Sequence, residues 1–394
     1  MEMSKLTAIV LTGGIGTRMR PLSLDKEKSM IDFMGRPLLL HLIKMLRSYG
    51  FSNIVFTSQG KRGEIKEYFS DGRAYGVNIE YYKGKKWYGT AGTIKQLIDK
   101  MGDAVASDNL LVIYGDSLLK ADFKKMLQFH GSSASLCTIL YHHPRFKSFM
   151  YEYHDREFEE RGKRTNYGVM DVGPGNRISA VMEKPAIAQL EDYFINPVAN
   201  AAVYAIKKDL LKYVPKDYPY DFPRNLFPLL IEKGIPCFGF DIEDGYRLDI
   251  GTIPTYYTAH FAILHGKVDF EIDFPEIEES VWLGKSSSVN PRGKLEGPLL
   301  ICENCSIGPG TNISHSIIGN NVNIGSNCLI KKSIILDNVH IGDGVEISYS
   351  ILGEHSSVAH GTFLSPNTVL GSYCRLGDFQ LALNDSDFYG LIRR

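Results

Sequence analysis

A cluster of cationic side chains follows a glycine-rich turn near the start of the chain. The apolar run 8–11 precedes Gly13, Gly14 and Gly16, a pattern that predicts a buried strand ending in a tight, open turn. Glycine lets backbone N–H groups approach a ligand closely, so such a turn can cradle phosphate oxygens. Four cations then fall within eleven residues of a chain whose formal net charge is −1: Arg18, Arg20, Lys26 and Lys28. This local positive charge predicts a polyanionic ligand, and a nucleoside triphosphate fits it best.

The carboxylate of Asp116 is the second group that could take part in chemistry. Residues 110–114 predict a buried strand, and Gly115 and Asp116 follow it directly. Ligands bind at the carboxyl ends of parallel strands, and carboxylate oxygens suit the Mg²⁺ that accompanies nucleotide phosphates. An isolated aspartate after a strand more often caps a helix. The glycine turn upstream favours the metal-binding interpretation here.

The elements that must position these groups follow from the hydrophobic periodicity. Helix-like and strand-like segments alternate along the chain, at 37–46, 53–57, 64–69, 79–82 and 94–98. Alternation at this spacing predicts a parallel sheet with right-handed crossovers. We therefore predict a doubly wound, Rossmann-like α/β domain, with the glycine turn at the ligand-binding edge of its sheet.

The glycine turn differs from the common phosphate-binding loops. It lacks the Gly-Lys-Ser/Thr of a Walker loop, and Gly13-x-x-Gly16 does not give the dinucleotide-binding fingerprint. The run that ends at Pro21 instead closely resembles the signature of sugar-phosphate nucleotidylyltransferases, Gly-Gly-x-Gly-Thr-Arg-Leu-Arg-Pro-Leu. Later segments match other motifs of this family in the same order, so the resemblance covers nearly the whole chain. In this family the sheet is mixed rather than purely parallel.

The resemblance implies a role for each matching residue. It implies nucleotide contacts from Leu11, Gly13, Gly14, Gly16, Thr17, Gly89, Thr90 and Gly115. It implies catalytic roles for Arg18, Lys28 and Asp116, in which the two cations neutralise charge on the triphosphate. It implies contacts with the sugar 1-phosphate from Gly168, Glu183, Lys184 and Asn200. Mg²⁺ would be held by Asp116 together with Asp249, which lies in a segment resembling Gly-Tyr-Trp-x-Asp-x-Gly-Thr.

The reaction implied by the resemblance joins an NTP to a sugar 1-phosphate and releases pyrophosphate. The segment Gly89–Gly92 resembles the mannose-1-phosphate guanylyltransferase branch, so GTP and mannose 1-phosphate are the first expectation. Adenylyl, thymidylyl or uridylyl transfer to glucose 1-phosphate is the alternative. Base and sugar are what the sequence leaves most open.

Three departures from the family pattern leave questions open. Glu27 and Ser29 flank Lys28 where the family has prolines, which leaves open a catalytically weak regulatory homologue that binds nucleotide sugars. Ala202 replaces the usual glycine in the segment that begins at Asn200. Residues 142–165 form a charged, aromatic excursion that the family does not usually have, and its role cannot be read from the sequence.

Beyond residue 280 the sequence repeats with a period of six. Aliphatic residues recur from Leu283 to Leu376, with single-residue slips before Ile318, Ile335 and Leu352. One inward aliphatic for each six residues is the hexapeptide signature of a parallel β-helix, which must stack its coils to form a core. The family resemblance makes this a left-handed β-helix, of about five triangular coils. We expect it to assemble the chain into a homo-oligomer.

The β-helix also permits a second function. Left-handed β-helices form hexapeptide acyltransferases with a histidine general base, so a bifunctional nucleotidylyl/acetyltransferase stays an alternative. The candidate histidines are His315, His340, His355 and His360. Several of them fall at turn-like positions, where a solvated surface histidine is the default, so we favour the assembly role.

Composition limits the other function classes. The nearly neutral charge argues against a general nucleic-acid binder, and no run of eighteen apolar residues predicts a membrane span. Residues 1–5 precede a core strand and do not resemble a signal sequence. Six cysteines predict buried small hydrophobes rather than disulfides, and Cys302-x-x-Cys305 lacks a second pair for zinc. We expect a cytoplasmic protein with small-molecule substrates, no nucleic-acid partner and no membrane partner.

The predicted domain organisation follows from these segments. We predict a nucleotidylyltransferase domain over 1–265, a linker over 266–282, the β-helix over 283–376 and a C-terminal tail over 377–394.

Overall fold

The architecture is described from a computed structural model of the chain. The described residues are 6–14, 16–58, 63–84, 86–102, 105, 107–133, 135–143, 165, 167–186, 189–190, 193–377 and 381–382. They form two compact units, which we describe in turn. The first comprises the described residues of Met1–Gly14 and Leu39–Leu248, and the second those of Ile15–Leu38 and Asp249–Arg394.

The first unit is built around a mixed sheet. The strands up to residue 249 are β1 (Thr7–Leu11), β2 (Asp32–Phe33), β3 (Arg36–Pro37), β4 (Asn53–Ser58), β5 (Asn78–Lys83), β6 (Asn109–Tyr114), β7 (Ser117–Lys120), β8 (Cys137–His142), β9 (Gly168–Val172), β10 (Ile178–Glu183), β11 (Pro197–Lys207), β12 (Cys237–Asp241) and β13 (Tyr246–Asp249). The central sheet has the order β10-β9-β11-β6-β1-β4-β5, and β8 pairs with both β11 and β12. Strands β7 and β13 form a separate two-stranded sheet.

Helices cover this sheet where the sequence predicts them. They are α1 (Leu38–Ser48), α2 (Glu64–Phe69), α3 (Gly89–Met101), α4 (Phe123–Ser132) and α5 (Phe227–Glu232), the last preceded by a π-helical turn over Phe222–Leu226. Short 3₁₀ turns lie at Arg73–Tyr75, Pro174–Asn176 and Lys208–Tyr213. Helix α3 begins at Gly89 rather than at residue 94, so the Gly-Thr-Ala-Gly segment forms its first turn and not the loop before it.

The predicted parallel core of this sheet is confirmed. Strand β1 runs parallel to both β4 and β6, and β4 runs parallel to β5. The sheet is mixed because β11 runs antiparallel to β6, β8 and β9. As in other sheets buried on both faces, the central strands are continuous apolar runs, and Ala8–Val10 and Leu110–Ile113 are fully buried.

The second unit begins with the latter half of the glycine turn. This part forms 3₁₀ turns at Thr17–Met19 and Lys28–Met30, followed by the hairpin of β2 and β3. Helix α6 (Ile253–Leu264) belongs to the same unit, and the side chain of Thr252 caps it by accepting from the Thr255 N–H. His260 of α6 accepts from the backbone N–H of Met34, so α6 lies against the hairpin.

The predicted hexapeptide repeat forms a parallel β-helix with three sheets. The first has the order β14 (Glu276–Glu278), β15 (Val281–Leu283), β18 (Leu299–Ile301), β21 (Ile317–Ile318), β24 (Ile334–Ile335), β27 (Ile351–Leu352) and β30 (Val369–Leu370). The second comprises β16 (Ser288–Val289), β19 (Ser306–Ile307), β22 (Asn323–Ile324), β25 (His340–Ile341), β28 (Ser357–Val358) and β31 (Arg375–Leu376). The third comprises β17 (Lys294–Glu296), β20 (Asn312–Ser314), β23 (Leu329–Lys331), β26 (Glu346–Ser348), β29 (Phe363–Leu364) and β32 (Leu381–Ala382).

Every aliphatic residue of the predicted register, from Leu283 to Leu376, lies in one apolar core inside this β-helix. The slips before Ile318, Ile335 and Leu352 shorten those coils by one residue. They fall at a corner where His315, Lys332 and Tyr349 adopt left-handed backbone conformations. The small residues that follow, Ser316, Ser333 and Ser350, are fully buried, and each hydroxyl of the first two accepts the N–H of the next serine along.

Two predicted segments fall largely outside the described residues. Of the excursion over 142–165, the structure describes 142–143 and 165, and of the tail over 377–394 it describes 377 and 381–382. Among the described residues, every helix is too short or too polar to cross a lipid bilayer.

Candidate active site

The first half of the glycine turn lies at the ends of two central strands in the first unit. Thr12 donates its backbone N–H and its hydroxyl to the carbonyl of Thr57, and the Gly115 N–H donates to the Leu11 carbonyl at 3.0 Å. A Cβ on Gly115 would lie 3.0 Å from Thr12, so the glycine allows this close approach. Gly14 is exposed, and a Cβ there would meet no atom within 4 Å. The turn therefore presents open backbone beside the end of β6.

The second predicted nucleotide element is the first turn of α3. Gly89 has φ +69°, and a Cβ on it would lie 2.6 Å from the Tyr220 carbonyl oxygen. Asp221 accepts from the backbone N–H of Thr90 at 2.9 Å and from its hydroxyl at 3.2 Å. Because a carboxylate already takes this N–H at the positive end of the helix, the turn is better suited to a flat base than to a phosphate.

Three predicted sugar residues are brought together in the same unit. Gly168 lies opposite Glu183 across β9 and β10, and a Cβ on Gly168 would come within 2.8 Å of the Glu183 carboxylate. That Cβ would also lie 3.5 Å from Asn200, which is buried. Lys184 follows Glu183 with φ +50°, which ends β10. A carboxylate and an amide that converge above a glycine can bind hydroxyl groups.

Ala202 lies at the centre of a bulge in β11. The pairing of β11 with β8 shifts register between Asn200 and Tyr204, and Ala202 has φ +59°. Its N–H donates to the Asn200 side-chain oxygen at 2.8 Å, which fixes the orientation of that amide. The family's glycine at this position is therefore explained by a left-handed conformation, which this chain keeps with alanine.

A row of polar side chains joins the nucleotide and sugar elements. Tyr114 lies beside Thr90 and Tyr204, with its ring centroid 6.0 Å from that of Tyr204, and the Asn200 amide donates to the Tyr204 hydroxyl at 3.2 Å. Burial raises the pKa of Tyr114 and of Tyr204, so both keep their protons. The motifs singled out neither tyrosine for the site, although Tyr114 ends β6 and Tyr204 lies in the segment that begins at Asn200.

Arg247, like Asp221 at the start of α3, has a structural role that the motifs did not indicate. Arg247 stands where the related motif has tryptophan, and it donates to the Ala201 carbonyl at 3.2 Å and to Ser117 at 3.3 Å. It therefore supports the bulge of β11 from the side of β7. Burial, together with the charge of Arg247, lowers the pKa of His142 to about 4. The substituted motif position was the one signal in the sequence for this arginine.

The second half of the glycine turn holds Lys28 in place. Gly16 has φ +69°, and a Cβ on it would lie 3.1 Å from the Lys28 Cβ. The Ser23 hydroxyl donates to the Gly16 carbonyl at 2.6 Å, while the Ile31 N–H donates to the Lys28 carbonyl. Lys28 is buried, whereas Thr17 and Arg18 are exposed. The flanking prolines of the family are therefore replaced by local hydrogen bonds and burial.

Arg18 and Asp249 meet at Gly251 in the second unit. A Cβ on Gly251 would lie 2.8 Å from the Asp249 carboxylate and 3.5 Å from the Arg18 guanidinium. Asp116, the other predicted metal ligand, belongs to the first unit and follows β6. In the described part of the chain, no group of three or more His, Cys, Asp and Glu side chains could hold a metal ion. Carboxylate oxygens still suit Mg²⁺, provided that substrate phosphates complete its ligands.

Lys26 differs from the other cations of the predicted cluster. It pairs with Glu354 of the β-helix at 2.5 Å rather than standing free for a ligand. Because its charge is already matched by a carboxylate, Lys26 is the least suited of the four cations to bind a polyanion, and its contribution there stays a prediction.

Three of the four candidate acyltransferase histidines contact neighbouring groups, and the fourth, His340, is exposed. His360 accepts the Asp343 N–H at its Nδ1, His355 stacks on Tyr373, and the His315 ring stacks with that of His265. The six cysteines are buried and unpaired, as predicted. These contacts give no support to acetyl transfer.

Comparisons with known proteins agree with this architecture. A family model described as Nucleotidyl transferase matches residues 7–266. A model described as the EIF2B subunit epsilon LbH domain matches residues 278–380, which confirms the predicted left-handed β-helix.

Similar proteins carry related names. A UTP–glucose-1-phosphate uridylyltransferase of Synechocystis is 27% identical, over 79% of this chain and 82% of the relative. A mannose-1-phosphate guanylyltransferase of Mycobacterium tuberculosis is 25% identical, over 84% of this chain and 85% of the relative. A mannose-1-phosphate guanyltransferase of Saccharomyces cerevisiae is 28% identical, over 62% of this chain and 61% of the relative.

Proposed function

Because the chain belongs to the nucleotidyl transferase family, we propose that it transfers a nucleotidyl group from an NTP to a sugar 1-phosphate and releases pyrophosphate. The observation that carries this proposal is the row of contacting polar side chains from Thr90 through Tyr114 and Tyr204 to Asn200. It couples an element suited to a flat base with an element suited to hydroxyl groups. A site for a base and a sugar in one unit is what this reaction requires.

We propose GTP and mannose 1-phosphate as the substrates. The names of two of the similar proteins, from Mycobacterium tuberculosis and Saccharomyces cerevisiae, support this pair. The Synechocystis relative supports UTP and glucose 1-phosphate as the alternative. Ala202 has a left-handed backbone conformation and carries a methyl group where the family has glycine. The sugar pocket proposed for this chain therefore differs in shape from that of family members with glycine at this position.

The proposed chemistry needs no enzyme nucleophile. An oxygen of the sugar phosphate attacks the α-phosphorus in line, a new P–O bond forms, and the bond to the bridging oxygen breaks as pyrophosphate leaves with the electron pair. Catalysis then depends on positioning and on neutralising charge. We assign charge neutralisation on the triphosphate and the departing pyrophosphate to Arg18, and we assign Lys28 to the phosphates. Lys184 would bind the sugar phosphate, and Glu183 and Asn200 its hydroxyl groups.

We propose Mg²⁺ as the divalent ion, held by Asp116 and Asp249. When bound, it would neutralise phosphate charge and orient the oxygens of the substrates. Asp249 lies next to Arg18 at Gly251, so a carboxylate for the divalent ion and a guanidinium for the phosphates lie side by side there. The convergence of Asp116 on the same ion is part of the proposal.

A panel of substrates tests this function. Pyrophosphate release should be measured for GTP, UTP, ATP and dTTP against mannose, glucose, glucosamine and heptose 1-phosphates, with and without Mg²⁺. We expect turnover that depends on Mg²⁺ and is highest for one NTP and sugar pair. Nucleotide-sugar binding without turnover on any pair would instead identify a regulatory homologue.

Two variants test the assigned residues. Lys28→Ala should remove most turnover, whereas Lys124→Ala, on the exposed side of α4, should not change it. Gly14→Ala should raise the KM for NTP without lowering the unfolding midpoint, because a Cβ there enters open space rather than protein. Gly173→Ala is its control, because the nearest atom to a Cβ on Gly173 lies at 3.7 Å, an ordinary van der Waals distance. Unchanged turnover in Lys28→Ala would reject the role of that lysine.

We also propose that the chain forms a homo-oligomer through the β-helix and acts in the cytoplasm. Leu329 and Phe363 are exposed on the third sheet, in register on either side of Glu346. Six unpaired cysteines suit a reducing compartment. Light scattering of the wild-type chain and of Leu329→Lys with Phe363→Lys tests the assembly, since a monomeric wild type would reject it.

A further inference from the structure

We propose that the β-helix positions the catalytic segment 16–38 through a polar stripe of four side chains, Glu303, Asn320, Asp337 and Glu354. The proposal rests on the proposed function, because it takes Arg18 and Lys28 of that segment as the groups that bind phosphates. These four stripe residues are positioning residues and touch no substrate. Their role would be to fix the backbone that carries the two cations.

The stripe is a repeated position of the β-helix. Its four residues are seventeen residues apart, so they occupy the same corner in successive coils. Neighbouring members bond with each other, since Asn320 accepts the Glu303 N–H and Asp337 accepts the Asn320 N–H. The next position along, Gly371, continues the stripe without a side chain.

Residues of the catalytic segment meet the stripe in order. Arg36 pairs with Glu303 at 2.9 Å, and the Asn320 amide donates to the Gly35 carbonyl at 3.1 Å. Further along, Lys26 pairs with Glu354 at 2.5 Å. Later residues of the segment therefore contact earlier residues of the stripe, so the two run in opposite directions along the chain.

Close packing supports both ends of this contact. Gly35 has φ +77°, and Cys302 Sγ fills the space that a side chain on Gly35 would need. At the other end, a Cβ on Gly371 would lie 3.1 Å from Pro21. Side chains at Gly35 and Gly371 would therefore separate the segment from the stripe.

Charge makes the interaction specific. Asp32 of the segment is buried, and burial together with the nearby carboxylates of Asp337 and Glu354 raises its pKa. Burial alone would lower the pKa of Lys26, but attraction to Glu354 and Asp32 raises it overall. Glu354 thus pairs directly with the Lys26 ammonium, which also attracts Asp32 and Asp337, and loss of the ammonium would leave the three acidic groups to repel one another.

The anchored positions lie close in sequence to the two catalytic cations. Lys28 lies between Lys26 and Gly35, which the stripe contacts, and Arg18 lies three residues before Pro21, which packs at the Gly371 position. A displacement of about 1 Å in a positioned group can cost about a hundredfold in rate. Loss of an anchor should therefore lower kcat, although no stripe residue touches the reacting atoms.

The test uses Glu354→Gln in the full chain, with Glu278→Gln, on the exposed strand β14, as its matched control. We expect Glu354→Gln to lower kcat at least tenfold, to leave the KM for the sugar 1-phosphate within twofold, and to speed amide hydrogen exchange in residues 16–38. Glu278→Gln should change none of these. The charge swap of Lys26→Glu with Glu354→Lys should recover much of the lost rate and protection.

Hydrogen exchange measured without substrates separates this proposal from the proposed function. If the wild type has no turnover but exchange in 16–38 still rises in Glu354→Gln, the function fails and the positioning role stands. If exchange there is unchanged, or rises equally across the β-helix, the positioning role is overturned. Should Glu354→Gln fail to fold, Glu303→Gln tests the pair with Arg36 in the same way.

Discussion

Replacing Ala202 with glycine should stabilise the protein, although the change removes a methyl group. Ala202 has φ +59°, a region that costs an L-residue about 1–2 kcal/mol relative to its usual conformations. Ala202→Gly removes this strain at the bulge of β11. Because glycine carries no such penalty, the folded state should gain most of that energy.

Two smaller effects oppose the gain. Glycine adds conformational entropy to the unfolded chain, which costs roughly 0.4–1 kcal/mol. Removal of the half-buried methyl costs about 0.4 kcal/mol, half of the ~0.8 kcal/mol of a fully buried CH₂ group. The net expectation is an increase of about 0.4 kcal/mol in the free energy of unfolding, when the middle of each range is taken.

Ala201→Gly is the matched control for this substitution. Ala201 is the preceding residue, is fully buried and does not have a positive φ. Its replacement loses a buried methyl and adds the same unfolded-state entropy, so we expect a loss of about 1.5 kcal/mol. Urea unfolding followed by circular dichroism should therefore give shifts of opposite sign. A similar loss in both variants would refute the strain at Ala202.

Two further predictions concern backbone strain and buried charge. Gly89→Ala should lower the unfolding midpoint more than Gly175→Ala, because both have positive φ but only Gly89 also has a backbone 2.6 Å from the new Cβ; equal losses would contradict the clash. Asp32→Asn should stabilise the protein increasingly as the pH rises above 3.8, as judged by urea midpoints from pH 5 to pH 8. The raised pKa of Asp32, caused by burial and by Asp337 and Glu354, means that the wild type loses stability on deprotonation; a midpoint lowered at pH 8 would contradict this.

The β-helix was predictable because its signal is local and repeated. Each coil needs an aliphatic residue at the same inward position, so the spacing of aliphatic residues from Leu283 to Leu376 predicts which residues form the core. The one-residue slips were also predictable, since a spacing of five rather than six between aliphatic residues indicates a corner that is one residue shorter. The central strands β1 and β6 were readable for the same reason, as continuous apolar runs.

The contacts within the site were less predictable because they join distant segments. Nothing near Thr90 indicates that Asp221, which lies 131 residues away, accepts its N–H. The link from Tyr114 to Tyr204 depends on β11 lying beside β6, an antiparallel neighbour that hydrophobic periodicity alone does not assign. The start of α3 was misplaced because glycines at 89 and 92 usually end a helix rather than form its first turn.

The polar stripe could have been predicted in the same way as the apolar core, by looking for one residue type repeated at a fixed spacing. Polar residues at 303, 320, 337 and 354 repeat every seventeen residues, as the core positions around them do. A β-helix that only stacks its coils has no need for carboxylates at one half-buried corner, since an unmatched charge that is partly removed from water is costly. A repeated acidic position therefore predicts a cationic partner elsewhere in the chain, and the partners are Lys26 and Arg36.

This pairing changes how the cation cluster near the glycine turn is interpreted. The cluster predicts a polyanionic ligand from four cations, but Lys26 is matched by Glu354 within the protein. Of the remaining three, Arg18 and Lys28 are the ones that we assign to the triphosphate, with the proposed Mg²⁺ and Lys184 supplying further positive charge. Two cations that must do this work need accurate placement more than a larger cluster would. The cation that does not bind the nucleotide thus has a task consistent with its position, which is to hold the backbone of the two that do.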